Sequence, residues 1–136
     1  MRHIGEMDTC PCGSGRAYSR CCGPVHANGA GLGATAESLM RARYSAYVLE
    51  NGEFIRASWH PSTRPASVDF STDLEWHGLE VVGVDRGGAL DSHGAVEFRA
   101  RFERGGQRLE LHEYSTFERV DGHWLYVDGI DPDTRT

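Results

Sequence analysis

The chain has 136 residues, 39% hydrophobic and 25% charged, which is the size and make-up of one globular domain rather than a disordered or fibrous chain. A net charge of −6 argues against broad, non-specific nucleic-acid binding, which needs a surplus of cations to displace counterions. All 14 basic residues are Arg, so Schiff-base chemistry and Lys modification are excluded.

The stretch from Met1 to Asp8 has no apolar signal-peptide core, and no later run reaches transmembrane length. The chain therefore reads as cytoplasmic, with no membrane role. Residues 1–9 read as a flexible tail. Residues 10–34, rich in Cys and Gly, read as a metal-binding motif and linker with at most a short turn or helix. Residues 35–136 read as one α+β domain.

Thr35 is placed to N-cap a first helix, in which Leu39, Met40, Tyr44, Tyr47 and Val48 share one face. Asn51-Gly52 breaks it. A second short helix puts Phe54, Ile55, Ser58 and Trp59 on one side and stops near His60, because Pro61 disfavours helix at the preceding residue. After a loop over residues 61–72 the period becomes two. A strand is expected around Leu79 to Val84. In the next, Val96, Phe98, Ala100 and Phe102 alternate with Glu97, Arg99, Arg101 and Glu103, a solvated charged row. Gly105-Gly106 turns the chain into a strand with Leu109, Leu111, Glu113, Ser115 and Phe117 on one face. Asp121-Gly122 is a second hairpin signal. The last strand, His123 to Asp128, is expected to carry Trp124, Tyr126 and Asp128 on one face. Helices followed by a four-stranded antiparallel meander give an α+β layout. Trp76, Trp124, Phe98 and Tyr44 read as core aromatics.

All four cysteines lie between positions 10 and 22. Cys10-Pro11-Cys12 and Cys21-Cys22 supply four soft ligands, the set that tetrahedral Zn²⁺ prefers, and a glycine-bearing turn lets the backbone curl round the ion. Arg16 and Arg20 would offset the charge of four thiolates. Two disulfides are a poor fit without a secretion signal. A redox dithiol more often shows Cys-x-x-Cys, and iron–sulfur clusters draw on wider spacings. The expected cofactor is one structural Zn²⁺ held by Cys10, Cys12, Cys21 and Cys22. His26 is a spare ligand at most, since four thiolates complete a tetrahedron.

The run Cys-Pro-Cys-Gly-Ser-Gly ending in Cys-Cys-Gly resembles the SEC-C motif, a small zinc-binding element found on the protein translocase SecA and other bacterial proteins. Four further stretches, from Leu39 to Tyr47, Trp59 to Pro61, His112 to Phe117 and Gly122 to Gly129, resemble the YchJ family. That resemblance implies an N-terminal SEC-C zinc knob joined to a cone-shaped nuclear-transport-factor-2-like domain, with helices packed on a curved antiparallel sheet. It also implies a protein partner, chaperone- or ribosome-associated, by likeness to the motif on SecA.

A cone of this type often holds a cavity. Counting by two places Glu113 on an apolar face, where a carboxylate must be paired or protonated. Glu113, Asp128 and His60 are the candidate acid–base or anchoring residues, with Arg41 or Arg43 as counter-ion. The competing reading is a buried Arg–Glu or Tyr–Asp network that only fixes the fold. Two functions follow. One is an adaptor that docks its knob through a patch around Pro11, Tyr18 and Pro24. The other is a small enzyme or small-ligand binder acting through Glu113 or Asp128.

Overall fold

The computed structural model describes residues 4, 5, 7–28 and 35–131. Part of the expected tail (1–3 and 6), residues 29–34 of the linker and the end of the chain (132–136) lie outside these residues.

Helix formation begins where capping chemistry allows it. The Thr35 side chain accepts from the Ser38 amide, and the Ser38 hydroxyl accepts from the Thr35 amide, closing a capping box at the start of α2, Ala36–Val48. Asn51 caps α3, Gly52–Ala57, by accepting from the Phe54 amide. A shorter helix, α1 (Cys22–Asn28), precedes them in the cysteine segment, after a single 3₁₀ turn over Tyr18–Arg20.

Four strands follow: β1 (Leu74–Arg86), β2 (His93–Arg104), β3 (Gln107–Val120) and β4 (His123–Ile130). They pair antiparallel in chain order β1-β2-β3-β4. The turns at Gly105-Gly106 and Asp121-Gly122 have positive φ at both positions, as two-residue hairpins require. Register shifts after Trp76 and Val81 in β1, and at Thr116/Phe117 between β3 and β4, bend the ladder, as bulges do.

Leu39, Phe54, Ile55, Val96, Phe117 and Trp124 form the centre of the core between helices and sheet. The β4 edge is covered, because Ser58 O accepts from the Tyr126 amide and Tyr126 O accepts from the His60 amide. Leu109 and Leu111 share the inner face with Ser115 and Phe117 as counted, yet they are 41% and 39% exposed. The helices do not extend over that end of β3, so the concave face stays open there. The charged row on β2 faces outward, with Arg101 paired to Glu80 and Glu110, and Arg99 to Glu110.

Candidate functional sites

The cysteine segment is a compact knob. The amides of Cys10 and Tyr18 donate to Arg16 O and Asp8 O, which ties the chain before the first cysteine to the chain after the glycine turn. The knob therefore begins at Asp8, two residues earlier than expected. All four Sγ atoms lie within 4.8 Å of one another. Cys12 and Cys21 are 3.5 Å apart, and Cys21 and Cys22 3.9 Å. A tetrahedron with metal–sulfur bonds near 2.3 Å has edges of about 3.8 Å, so the thiols already stand where a four-coordinate ion wants them. Cys10, Cys12 and Cys22 are buried and Cys21 is half-buried. Hydrogen bonds from Cys12 and Cys22 draw the Cys10 thiol down to about 3, and those to Cys10 and Cys12 push Cys22 far upward. A divalent cation lets all four deprotonate together. The donor set and spacing fit such an ion, and the four filled positions give it a structural part.

The knob is built into the domain. The Ser45 hydroxyl on α2 donates to Cys22 Sγ at 3.3 Å and lies 3.4 Å from Cys10 Sγ. The Arg41 guanidinium donates to Cys12 O at 2.8 Å while pairing with Glu37. Gly23 must be glycine, because a Cβ there would stand 2.7 Å from Tyr18 O. His26 is not a ligand. Its ring links the knob to α2, with Nδ1 2.6 Å from the Tyr18 hydroxyl and Nε2 2.8 Å from Ala42 O, and it packs on Phe54. Burial holds its pKa below the usual imidazole value. Ser45 and Arg41 as knob contacts were not anticipated. The run of small residues Ala42, Ser45 and Ala46 along one side of the first helix was the available signal for close approach.

On the other side of α2 lies a cavity of about 250 Å³. Met40, Tyr44, Trp76, Phe98, Ala100 and Phe117 wall it, and exposed Leu111 marks its mouth. Arg43, Tyr47, Glu113, Ser115 and Tyr126 bring polar atoms to it. Trp76, Phe98 and Tyr44 thus serve both core and cavity.

Of the three candidate residues, only Glu113 lines this cavity. Its carboxylate accepts from the Ser115 hydroxyl. It rests over Gly129, where an added Cβ would stand 2.5 and 2.6 Å from its two oxygens. Asp128 is a correction. Phe117 pairs with Tyr126 and Thr116 with Asp128, so Val127 is an extra residue in β4. This bulge shifts the alternation by one. Tyr126 stays on the inner face, Asp128 turns outward into solvent beside Thr116, and Gly129 takes the inner position. His60 is also placed elsewhere. Its Nδ1 accepts from the Ser62 amide and its Nε2 is 3.7 Å from Glu118, outside the cavity lining.

Among the described residues Arg43 is the deepest charge, 6% exposed. Its Nη1 donates to Ile55 O at 2.8 Å and to the Ser58 hydroxyl at 2.6 Å. Its guanidinium carbon lies 4.9 Å from the Trp59 ring centre and 4.4 Å from that of Tyr126. Among the described residues no carboxylate forms an ion pair with it. The expected counter-ion contact is therefore absent: Arg43 and Glu113 face one cavity without touching, and Arg41 is occupied at the knob. Burial pushes the pKa of Tyr47 and Tyr126 upward, so both hydroxyls remain protonated donors at neutral pH. Gly129 was missed because the last strand was expected to end at Asp128; β4 runs on to Ile130, and glycine inside a strand often marks a close approach.

Comparison with known proteins agrees with this architecture. The model of the SEC-C motif matches residues 8–24, and that of the YchJ middle NTF2-like domain matches residues 35–129. A UPF0225 protein of Streptomyces coelicolor is 47% identical over 120 residues, covering 88% of this chain and 93% of its own. One from Ralstonia nicotianae is 49% identical, covering 88% and 89%. The solution structure of a SEC-C motif containing protein from Rhodopseudomonas palustris superposes with a TM-score of 0.78 at 36% identity, over 91% of this chain and 98% of that one. A crystal structure of a SEC-C motif containing protein from Psychrobacter arcticus gives 0.73 at 30%, over 96% and 85%. No helix among the described residues is long and apolar enough to cross a membrane. With its cysteine knob followed by an α+β domain of helices on a curved sheet, the chain belongs to the YchJ family, the UPF0225 proteins: a SEC-C motif joined to an NTF2-like domain.

Proposed function

We propose that this protein binds a small organic molecule in the cavity between α2 and the sheet, and that its cysteine knob holds one structural Zn²⁺. The observation that carries the binding reading is Arg43. A buried cation with no ion-paired carboxylate, opening on an aromatic-walled cavity, is a costly arrangement unless something polar completes it. Zinc is favoured among divalent ions by four thiolates at tetrahedral spacing.

The test fills the cavity. Ala100 is buried on its wall, so Ala100→Leu places a larger side chain in the space while the sheet register stays intact. A thermal-shift screen of small polar aromatic compounds should give ligands that raise the Tm of the wild type and not that of Ala100→Leu. Ligands that stabilise both proteins equally, or none in either, would overturn the binding reading. Elemental analysis of untagged protein should give one zinc per chain, lost in Cys12→Ser.

A second reading, docking of the knob on a protein partner, is favoured by one observation. Arg16, Arg20 and Pro24 are exposed on its outer rim. Tyr18 is half-buried against His26 and Pro11 is half-buried, so the docking patch is narrower than the sequence suggested. A pull-down in which Arg16→Glu and Arg20→Glu together abolish a wild-type partner, with zinc content unchanged, would support it. A partner retained by that double variant would exclude the rim.

A further inference from the structure

The cavity has an electrical polarity, and this says what it takes. Resting on the reading that the cavity binds a small molecule, we infer that its ligand is a zwitterion of the aromatic amino-acid class, with its carboxylate toward Arg43, its ammonium toward Glu113 and its ring against the aromatic wall.

Two charges of opposite sign line one cavity, each within the other's field but not in ion-pair contact. Arg43 is held from behind by Ile55 O and the Ser58 hydroxyl, and its faces lie near Trp59 and Tyr126. These contacts hold it apart from Glu113 in this arrangement. Glu113 is likewise held, by the Ser115 hydroxyl and by the cradle over Gly129 that a Cβ would fill. Among the described residues Glu113 has no ion-pair partner. A guanidinium fork presents donors suited to a carboxylate, and a carboxylate accepts from an ammonium.

The alternatives each leave a defect. A monoanion satisfies Arg43 but brings a second negative charge near Glu113. A monocation satisfies Glu113 but approaches a buried guanidinium. A neutral molecule makes no charge-to-charge contact with either group. Only a ligand carrying both charges, and therefore no net charge, matches a cavity that itself sums to zero. Size adds a limit. At about 250 Å³ the cavity has room for one ring with a short polar arm. Tyr44, Trp76, Phe98 and Phe117 supply the surface for that ring.

The experiment uses four matched probes with the full-length, metal-loaded protein: phenylalanine, 3-phenylpropionate, 2-phenylethylamine and 2-phenylethanol. They share a ring and differ in charge. Binding is read by calorimetry and by chemical-shift change at neutral pH, where phenylalanine is the zwitterion. Phenylalanine should bind at least tenfold more tightly than any of the other three. In Glu113→Gln, a near-isosteric change that keeps an acceptor for Ser115, its advantage over 3-phenylpropionate should shrink to within about threefold. An advantage unchanged in Glu113→Gln would overturn the assignment of the ammonium to Glu113. Tightest binding by the alcohol or by a singly charged probe would overturn the zwitterion while leaving the cavity as a binding site. Absence of binding by all four at millimolar concentration would refute both.

Discussion

Replacing Gly129 by Ala isolates the packing that holds Glu113 in the cavity. In an unobstructed strand this change stabilises by about 0.5–1 kcal/mol, because glycine loses more chain entropy on folding. Here the new Cβ would stand 2.5 and 2.6 Å from the Glu113 oxygens, inside any tolerable contact. The carboxylate must leave, and Ser115, which is 2% exposed, loses its acceptor. Overpacking costs about 1–3 kcal/mol and an orphaned buried hydroxyl a similar amount. Because the mouth beside Leu111 gives the side chain room to escape, a net loss of about 1–2 kcal/mol is expected. In a Glu113→Ala background the obstruction is gone, so Gly129→Ala should be neutral or stabilising. Urea unfolding of the four proteins in a double-mutant cycle should give a coupling of about 1–3 kcal/mol. Equal cost of Gly129→Ala in both backgrounds, or no cost in either, would refute the placement of Glu113.

Arg41→Ala removes the donor to Cys12 O but no cysteine. It should speed chelator-driven loss of metal several-fold, read with a colorimetric chelator, and leave the sheet signal in circular dichroism unchanged. His26 gives a pH dependence of stated sign. Burial lowers its folded pKa below 6.5, so the unfolded chain takes up the proton first and stability falls as pH drops below about 6.5. His26→Leu should lack this component. The stability difference between wild type and variant, measured by denaturant unfolding of zinc-loaded protein, should therefore decline for the wild type between pH 6.5 and 5, and a constant difference would count against a neutral, buried His26.

Much of this was readable from residue order, and the exceptions have physical causes. Counting by two placed Glu113 correctly because β2 and β3 pair without interruption from His93↔Glu118 to Arg104↔Gln107. The same count failed two residues past Tyr126, because Val127 is a bulge residue. Nothing in Leu125-Tyr126-Val127 distinguishes a bulged valine from a paired one, since all three are good strand formers. The first helix was more legible than the reading made of it. Arg41 and Arg43 are two residues apart, which on a 3.6-residue helix turns them to nearly opposite sides. One could serve the cavity only if the other served something else, and that something is the knob. His26 was opaque, and so was what Ser45 approaches, for another reason. Their partners are sulfur atoms and a carbonyl brought up from another segment, and only the tertiary fold supplies them.

The place of the metal follows from the same helix. Ala36, Leu39, Met40, Ala42, Arg43, Tyr44, Ser45 and Ala46 are all buried, so α2 is covered nearly all round. A helix of this kind needs a layer on each side. The sheet supplies one. The other is the segment from Asp8 to Asn28, which is too short to build a hydrophobic core of its own, and whose buried groups are largely the cysteines themselves. Four thiolates round one divalent ion would give that segment a rigid centre without apolar bulk. Ser45, Arg41 and the His26 ring then fasten it along one side of α2, while Met40, Arg43, Tyr44 and Tyr47 face the cavity on the other. The knob thus stands behind the helix that carries Arg43. Its four thiols make a complete tetrahedral donor set, as a scaffold requires, and its contacts with α2 place it where loss of a bound metal would loosen the cavity wall.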